Sequence, residues 1–374
     1  MLSNLTRRSV VKNSGIALAA SFLPTSPPPA SAEDNVTKLI RLNLNENALG
    51  PSPNVEPAIR RELPLLSRYA DNPAAQLLTQ QIAAYERVPV EQVVLGEILD
   101  ALGLYLGSHG GPGGEFIYST PGYLALIDSA ADVGGVGVPV PLNAKYENDL
   151  PALTAKVNEK TRALYLINPH NPTGTVNGDA AFKRFLREVS QRAPVIVDEA
   201  YLEYTTDFET RSAVSLTREG ANVLVFRTFD KIHGLAALPM GYTLAPRPIA
   251  EALRKQGVGE AESLGRLNLA AASAALADTA YIRHTRSVIA TERDKWNSVL
   301  DELNFPHTDS RANFIFFNAG RPQTEIAAAM RAANINIGRA FPPYTNWARI
   351  TIGRPDENGI AQQRLREILH DIPK

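Results

Sequence analysis

Four short motifs carry the residue types that could do chemistry, and they fall in a fixed order. Asn168-Pro169-His170-Asn171-Pro172-Thr173-Gly174 comes first, then Asp198-Glu199-Ala200-Tyr201, then Thr228-Phe229-Asp230-Lys231-Ile232-His233-Gly234. Near the C-terminus stands Ala348-Arg349-Ile350-Thr351-Ile352-Gly353. Together they offer an amide, a carboxylate, an amine and a guanidinium. The first three each follow a short apolar run that reads as a strand. In an open α/β sheet, ligands bind just outside the carboxyl ends of the strands. Asn171, Asp198 and Lys231 are therefore expected to converge on one ligand. Other chemistries are excluded. The 374 residues include no cysteine, so there are no disulfides, thiolate metal sites or thiol nucleophiles. No His/Asp/Glu spacing suggests a metal site. With 38 basic against 39 acidic residues there is no basic stripe, and no case for nucleic-acid binding.

The elements that must position these residues are legible as alternating strands and helices. Strands are expected at 92–95, 115–119, 135–140, 163–167, 195–198, 223–227 and 241–244. Several are continuous apolar runs, which suit a mostly parallel sheet covered on both faces by helices. Gly- and Pro-rich breaks at 110–114, 169–174 and 234–241 separate them. After about residue 251 the pattern changes to Ala-rich helices at 267–276 and 281–303, then strands at 313–317, 335–338 and 348–352. That change marks a second, smaller α+β domain. The length and the 44% apolar content support two cores.

Residues 1–32 read differently. Arg7, Arg8 and Lys12 are their only charges, an apolar run from Gly15 to Leu23 follows, and a Pro/Ser/Ala segment ends in Ala30-Ser31-Ala32. This is the order of a secretory signal with a small-x-small cleavage site. Thr6-Arg7-Arg8-Ser9-Val10-Val11-Lys12 resembles a twin-arginine export motif. The run is shorter than the roughly 18–20 residues of a membrane span. Export to the periplasm is expected, with a cytoplasmic location as the alternative. Cleavage removes three cations and no acid, taking the formal charge from −1 to −4.

The four motifs in this order resemble the fold-type-I pyridoxal-phosphate (PLP) aminotransferases, and within them the histidinol-phosphate aminotransferase branch. Leu42-Asn43-Leu44-Asn45-Glu46-Asn47-Ala48-Leu49-Gly50-Pro51 is similar to that branch's N-terminal arm, and Ser67-Arg68-Tyr69-Ala70-Asp71 to its Tyr-bearing loop. The likeness runs from about Leu42 to Glu367. It implies an α/β fold: a large domain with a mostly parallel seven-stranded sheet, plus a smaller α+β C-terminal domain. The expected divisions are a signal over 1–32, an arm over 33–65, a PLP-binding domain over 66–250 and a small domain over 251–374. The likeness also implies a homodimer.

Residue roles follow from the resemblance. Lys231 is the lysine that takes up the cofactor aldehyde and then carries the proton at the reacting carbon. Asp198 faces the pyridine nitrogen and keeps it protonated. Asn171 and Tyr201 bond the ring 3′-oxygen, and Tyr123 stacks on the ring. Leu99, Asp100 and, from the neighbouring subunit, Tyr69 stand at the cofactor phosphate, and Thr228 is a further cofactor-binding residue. Arg349 clamps the substrate α-carboxylate with two parallel hydrogen bonds. Arg339 matches a position that binds a distal phosphate, and Asn45 belongs to the substrate-facing arm. His170 and His233 read as polar loop histidines.

The sequence departs from this family at the phosphate end. A serine is usual directly before the lysine and an arginine eight residues after it, but here stand Asp230 and Pro239. In Gly96-Glu97-Ile98-Leu99-Asp100-Ala101 the family prefers a small residue where Leu99 stands. A helix N-terminus there can still donate backbone N–H groups. Arg227 and Arg266 are candidate replacement cations. The leading expectation is a PLP-dependent aminotransferase acting on an amino acid or amino-alcohol and a 2-oxo acid, in a secondary pathway. Another PLP-dependent enzyme (oxidase, lyase, decarboxylase or racemase) and a degenerate non-catalytic homologue are the alternatives.

Overall fold

Strand residues of the larger sheet alternate between two apolar cores, one on each face. Val195, Val197, Val223 and Val225 face one core, and Ile196, Leu224 and Phe226 face the other. This double coverage is why the strands read as unbroken apolar runs. The protein, a computed structural model, is described from residue 39 to residue 370, apart from 110 and 112. The export signal expected at 1–32 lies outside the described residues.

Eleven strands are found among the described residues: β1 Ile40–Leu42, β2 Val93–Leu95, β3 Glu115–Thr120, β4 Val136–Pro141, β5 Thr161–Ile167, β6 Val195–Asp198, β7 Val223–Thr228, β8 Gly241–Leu244, β9 Phe314–Asn318, β10 Ile335–Ile337 and β11 Trp347–Thr351. Seven of them form one sheet in the order β2-β8-β7-β6-β5-β3-β4. β8 runs antiparallel to both its neighbours, and the other pairings are parallel. The fold is thus the fold-type-I α/β arrangement with the expected seven-stranded, mostly parallel sheet.

A further core gathers β9, β11, the 24-residue helix Thr279–Glu302 and the C-terminal helix Pro355–His370. β9 and β11 pair antiparallel. The arm joins this core, because β1 pairs in parallel with β10 and Leu42 is fully buried there. The helices Arg247–Lys255 and Arg266–Ala277 pack instead with the cores of the large sheet, through Ala250 and Leu253 and through Leu269 and Ala272. No described helix is long and apolar enough to cross a membrane.

Candidate active site

The carboxyl ends of β5, β6 and β7 open into a cavity of about 340 Å³. Asn171, Asp198, Tyr201, Thr228 and Lys231 reach it from these strand ends, and Leu99, Asp100 and Tyr123 from the neighbouring loops and helix. Asn45 of the arm, with Arg339 and Arg349 of the C-terminal part, closes the far wall. Of the residues expected at the site, Tyr69 alone stays outside; it is 83% exposed.

Asp198 ends β6 and is buried. Its Oδ2 accepts the Tyr165 hydroxyl at 2.8 Å, and its Oδ1 the Ala200 N–H at 3.0 Å. Burial pushes the carboxyl up to about 6, against the pull of those two bonds and of the Lys231 charge. Lys231 follows β7 in a tight turn. Gly234 closes that turn at φ +73°, where a Cβ would sit 2.5 Å from the Gly50 carbonyl. Only glycine tolerates that approach. Asn47 ties the arm to the same turn, its Nδ2 donating to the Ile232 carbonyl at 2.9 Å.

Arg349 on β11 is buried and has no carboxylate against it. Its Nη1 donates to Asn171 Oδ1 at 2.6 Å and its Nη2 to the Asn43 carbonyl at 2.9 Å, while Nε has no partner. Burial lowers it to about 10, and Arg339 adds to that lowering. The guanidinium also lies over the Phe314 and Phe341 rings, at 5.5 and 4.9 Å. A buried cation without an acid is costly unless an anion completes it. Arg339 is exposed and packs over Phe341 at 4.4 Å. Tyr123 is half-exposed; burial, followed by the carboxyls of Asp100, Asp198 and Glu97, raises its phenol.

Neither candidate replacement cation stands in the cavity. Side chains alternate along a strand, so Thr228 faces the cavity and Arg227, next to it, faces the opposite core. There Arg227 is fully buried, 3.2 Å from Glu86 and 2.9 Å from Glu199. Arg266 is held outside by Glu62 at 2.9 Å and by the Tyr69 carbonyl. Pro239 is exposed as well, its carbonyl accepting from Asn268. His170 is buried, and burial lowers it to about 3. His233 is buried beside Glu203, 3.6 Å away. Neither histidine lines the cavity.

Sequence reasoning passed over Glu97. It lies on the cavity wall, open to solvent through the mouth, between β2 and the helix Leu99–Ser108. Thr228, whose hydroxyl accepts the Asp230 N–H at 2.9 Å, lies beside its carboxyl and favours its charged form. Desolvation by the surrounding protein, with the charges of Asp230 and Asp198, pushes Glu97 up to about 8. The available signal was an acid in a segment already unlike the family's. Among the described residues no group of His, Asp or Glu could hold a metal ion.

Comparison with known proteins agrees with this geometry. The sequence profile described as Aminotransferase class I and II matches residues 37–365. A histidinol-phosphate aminotransferase of Moorella thermoacetica is 32% identical over 93% of this chain and 90% of its own length. An aromatic amino acid aminotransferase of Thermobifida fusca is 35% identical over 85% of this chain and 87% of its own. The crystal structure of histidinol-phosphate aminotransferase from Sinorhizobium meliloti, in complex with pyridoxal-5′-phosphate, superposes with a TM-score of 0.79 at 27% identity, over 90% of this chain and 92% of that one. The chain belongs to the class I and II aminotransferases, a family of PLP-dependent transferases.

Proposed function

We propose that the chain moves the amino group of an α-amino acid to a 2-oxo acid, with Arg349 as the carboxylate clamp and Lys231 as the proton carrier. The observation that carries this reading is Arg349: a buried guanidinium bonded only to neutral oxygens, with its Nε unpartnered. An α-carboxylate supplies the missing charge and a planar, bidentate partner.

The residues present fit PLP at its ring. Asp198 would face the ring nitrogen, Asn171 and Tyr201 the 3′-oxygen, Tyr123 the ring face and Lys231 the aldehyde, and all five line the one cavity. Bound there, PLP supplies an electron-withdrawing ring that stabilises negative charge at the substrate Cα. The chain's own work is positioning and proton transfer. Lys231 Nζ takes the proton from the substrate Cα. Asp198, as carboxylate, holds a proton on the ring nitrogen. Arg349 fixes the carboxylate, which leaves the Cα–H as the bond presented to the lysine.

A second reading, an amino-alcohol bearing a distal anion, is favoured by Arg339, which lines the same cavity. Steady-state kinetics on both classes separate the two. Turnover of α-amino acids supports the first, and turnover of anionic amino-alcohols alone replaces it with the second.

Export and pairing belong to the same proposal. The Arg7-Arg8 pair and the Ala30-Ser31-Ala32 site support twin-arginine export to the periplasm, and a secondary pathway rather than primary biosynthesis. A reporter fused after residue 32 should be exported, and Arg7→Lys with Arg8→Lys should block it; export that persists in the double variant rejects the signal. An exposed Tyr69, braced through its carbonyl by Arg266, supports a homodimer in which that loop completes the partner's site.

A further inference from the structure

Strand order gives the cavity a direction. Asn171 follows β5, Asp198 ends β6, Thr228 ends β7, and Glu97 follows β2, beyond β8. On a pyridoxal ring the 3′-oxygen and the 5′-substituent leave from carbons on opposite sides of the aldehyde carbon. With the ring nitrogen toward Asp198 and the 3′-oxygen toward Asn171, the 5′-phosphate falls on the side of β7, β8 and β2. The cavity wall there carries Glu97, Leu99, Asp100, Thr228 and Asp230. Lys231 is the one cation among the residues lining that side, and it serves the aldehyde. A phosphate dianion set among three ionised carboxylates would be repelled.

We propose that the Glu97 carboxyl, in its acid form, donates a hydrogen bond to the cofactor phosphate, so that this end of the site takes up a proton where its relatives use a fixed cation. This rests on the cofactor placement given above. Three features of the wall support it. The Thr228 hydroxyl lies against both the Glu97 and the Asp230 carboxyls, and its single proton can go to only one of them. Gly241 leaves the space Glu97 occupies, because a Cβ there would stand 2.7 Å from Glu97 Oε1. The helix Leu99–Ser108 begins without a side-chain cap, leaving first-turn N–H groups for the remaining phosphate oxygens.

The groups facing Glu97 divide into those that oppose its charge and two that favour it. Asp230 and Asp198 oppose its charge, and Asp100 and the Tyr123 phenol share the wall. The Thr228 hydroxyl and then Lys231 favour the charged form, and together they are outweighed by desolvation from the surrounding protein. With the carboxyl raised to about 8, it carries its proton at neutral pH. A phosphate alongside raises it further, which is the linkage that draws the proton in.

The test uses 4′-deoxypyridoxine 5′-phosphate, which has the ring and phosphate but no aldehyde for Lys231, and 4′-deoxypyridoxine as its unphosphorylated partner. Binding to the purified full chain is measured by calorimetry from pH 7 to 9.5. The phosphate ester should bind more tightly than its partner at pH 7. Its affinity should then fall about tenfold per pH unit above about 8, with uptake of about one proton per molecule bound at pH 9. The partner shares the titration of the ring nitrogen that faces Asp198 but makes no phosphate contact, so its affinity should fall less steeply than the ester's. Glu97→Gln, which donates without titrating, should keep the neutral-pH affinity and lose the excess of the ester's fall over its partner's. Several results overturn the assignment: a flat profile to pH 9.5, the same fall in Glu97→Gln, the same fall for both ligands, or no preference for the ester at pH 7. If neither ligand binds, the cofactor placement fails along with it.

Discussion

Arg349 Nη1 donates to Asn171 Oδ1 at 2.6 Å, and this bond joins the clamp on β11 to the loop after β5. It also settles the amide. With Oδ1 engaged, Asn171 Nδ2 faces the Tyr201 hydroxyl at 3.5 Å, which Asn45 Nδ2 approaches at 3.0 Å. A hydroxyl that accepts twice keeps its own proton for a third partner. Tyr201 is therefore free to donate to an oxyanion in the cavity, which is the part proposed for it at the ring 3′-oxygen.

Removing the clamp should cost transition-state binding of carboxylate substrates. Arg349→Ala should lower kcat/KM for α-amino acids by about 2–5 kcal/mol, or roughly 30- to 5,000-fold. Asn171 also loses its partner, so cofactor affinity should fall slightly. Steady-state kinetics with paired amino acids and amino-alcohols check this. Equal losses for both classes would mean the guanidinium does not read the carboxylate.

Arg227 does separate work in the opposite core, where Glu86, Glu199 and Glu203 surround it. Arg227→Ala leaves buried carboxylates unpaired and should destabilise by about 3–5 kcal/mol in urea unfolding. A loss under 1 kcal/mol would show the network to be slack.

Acid should weaken the fold in two windows. Burial opposes the Glu203 charge, but His233, Arg227 and the Tyr85 bond outweigh it and hold the carboxyl down to about 2. Its contribution is present above the unfolded value near 4.3 and is lost as pH falls toward 2. His170, kept neutral by burial down to about 3, binds its proton sooner when unfolded, so stability also falls from about pH 6.5 downward. Unfolding midpoints from pH 8 to 3 should show the earlier loss diminished in His170→Asn. An unchanged profile would remove His170 from the account.

Tyr69 offers a test of shared sites. Tyr69→Ala and Lys231→Ala subunits, each impaired alone, should regain activity when mixed under exchange conditions. A mixed dimer holds one site with both residues intact. Activity no greater than that of the separate parents would place Tyr69 outside the partner's site.

Much of this was legible in the sequence because the physics is local. β6 and β8 lie at the expected 195–198 and 241–244, and the other expected strands fall within two residues. Apolar runs covered on both faces and bounded by Gly and Pro leave a clear signature. β1 was missed: three residues paired only with Ile335–Ile337, near the other end of the chain, leave none. Arg227 was misjudged although alternation with Val225 could have placed it in the apolar core; its partners Glu86 and Glu199 are distant in sequence. Glu97 stood in a segment marked as unusual. Its role depends on Thr228 and Asp230, brought beside it only when β2 pairs with β8 and β8 with β7.

The most direct test of transamination is a half-reaction. Mixing the cofactor-loaded protein with single α-amino acids, without acceptor, should bleach the visible cofactor band within one turnover. A 2-oxo acid should restore it. Borohydride reduction of the resting protein should fix the cofactor's mass on Lys231, and Lys231→Ala should show neither attachment nor exchange. A band unchanged by every amino acid, or bleached with no return on any 2-oxo acid, would contradict amino-group transfer by this site.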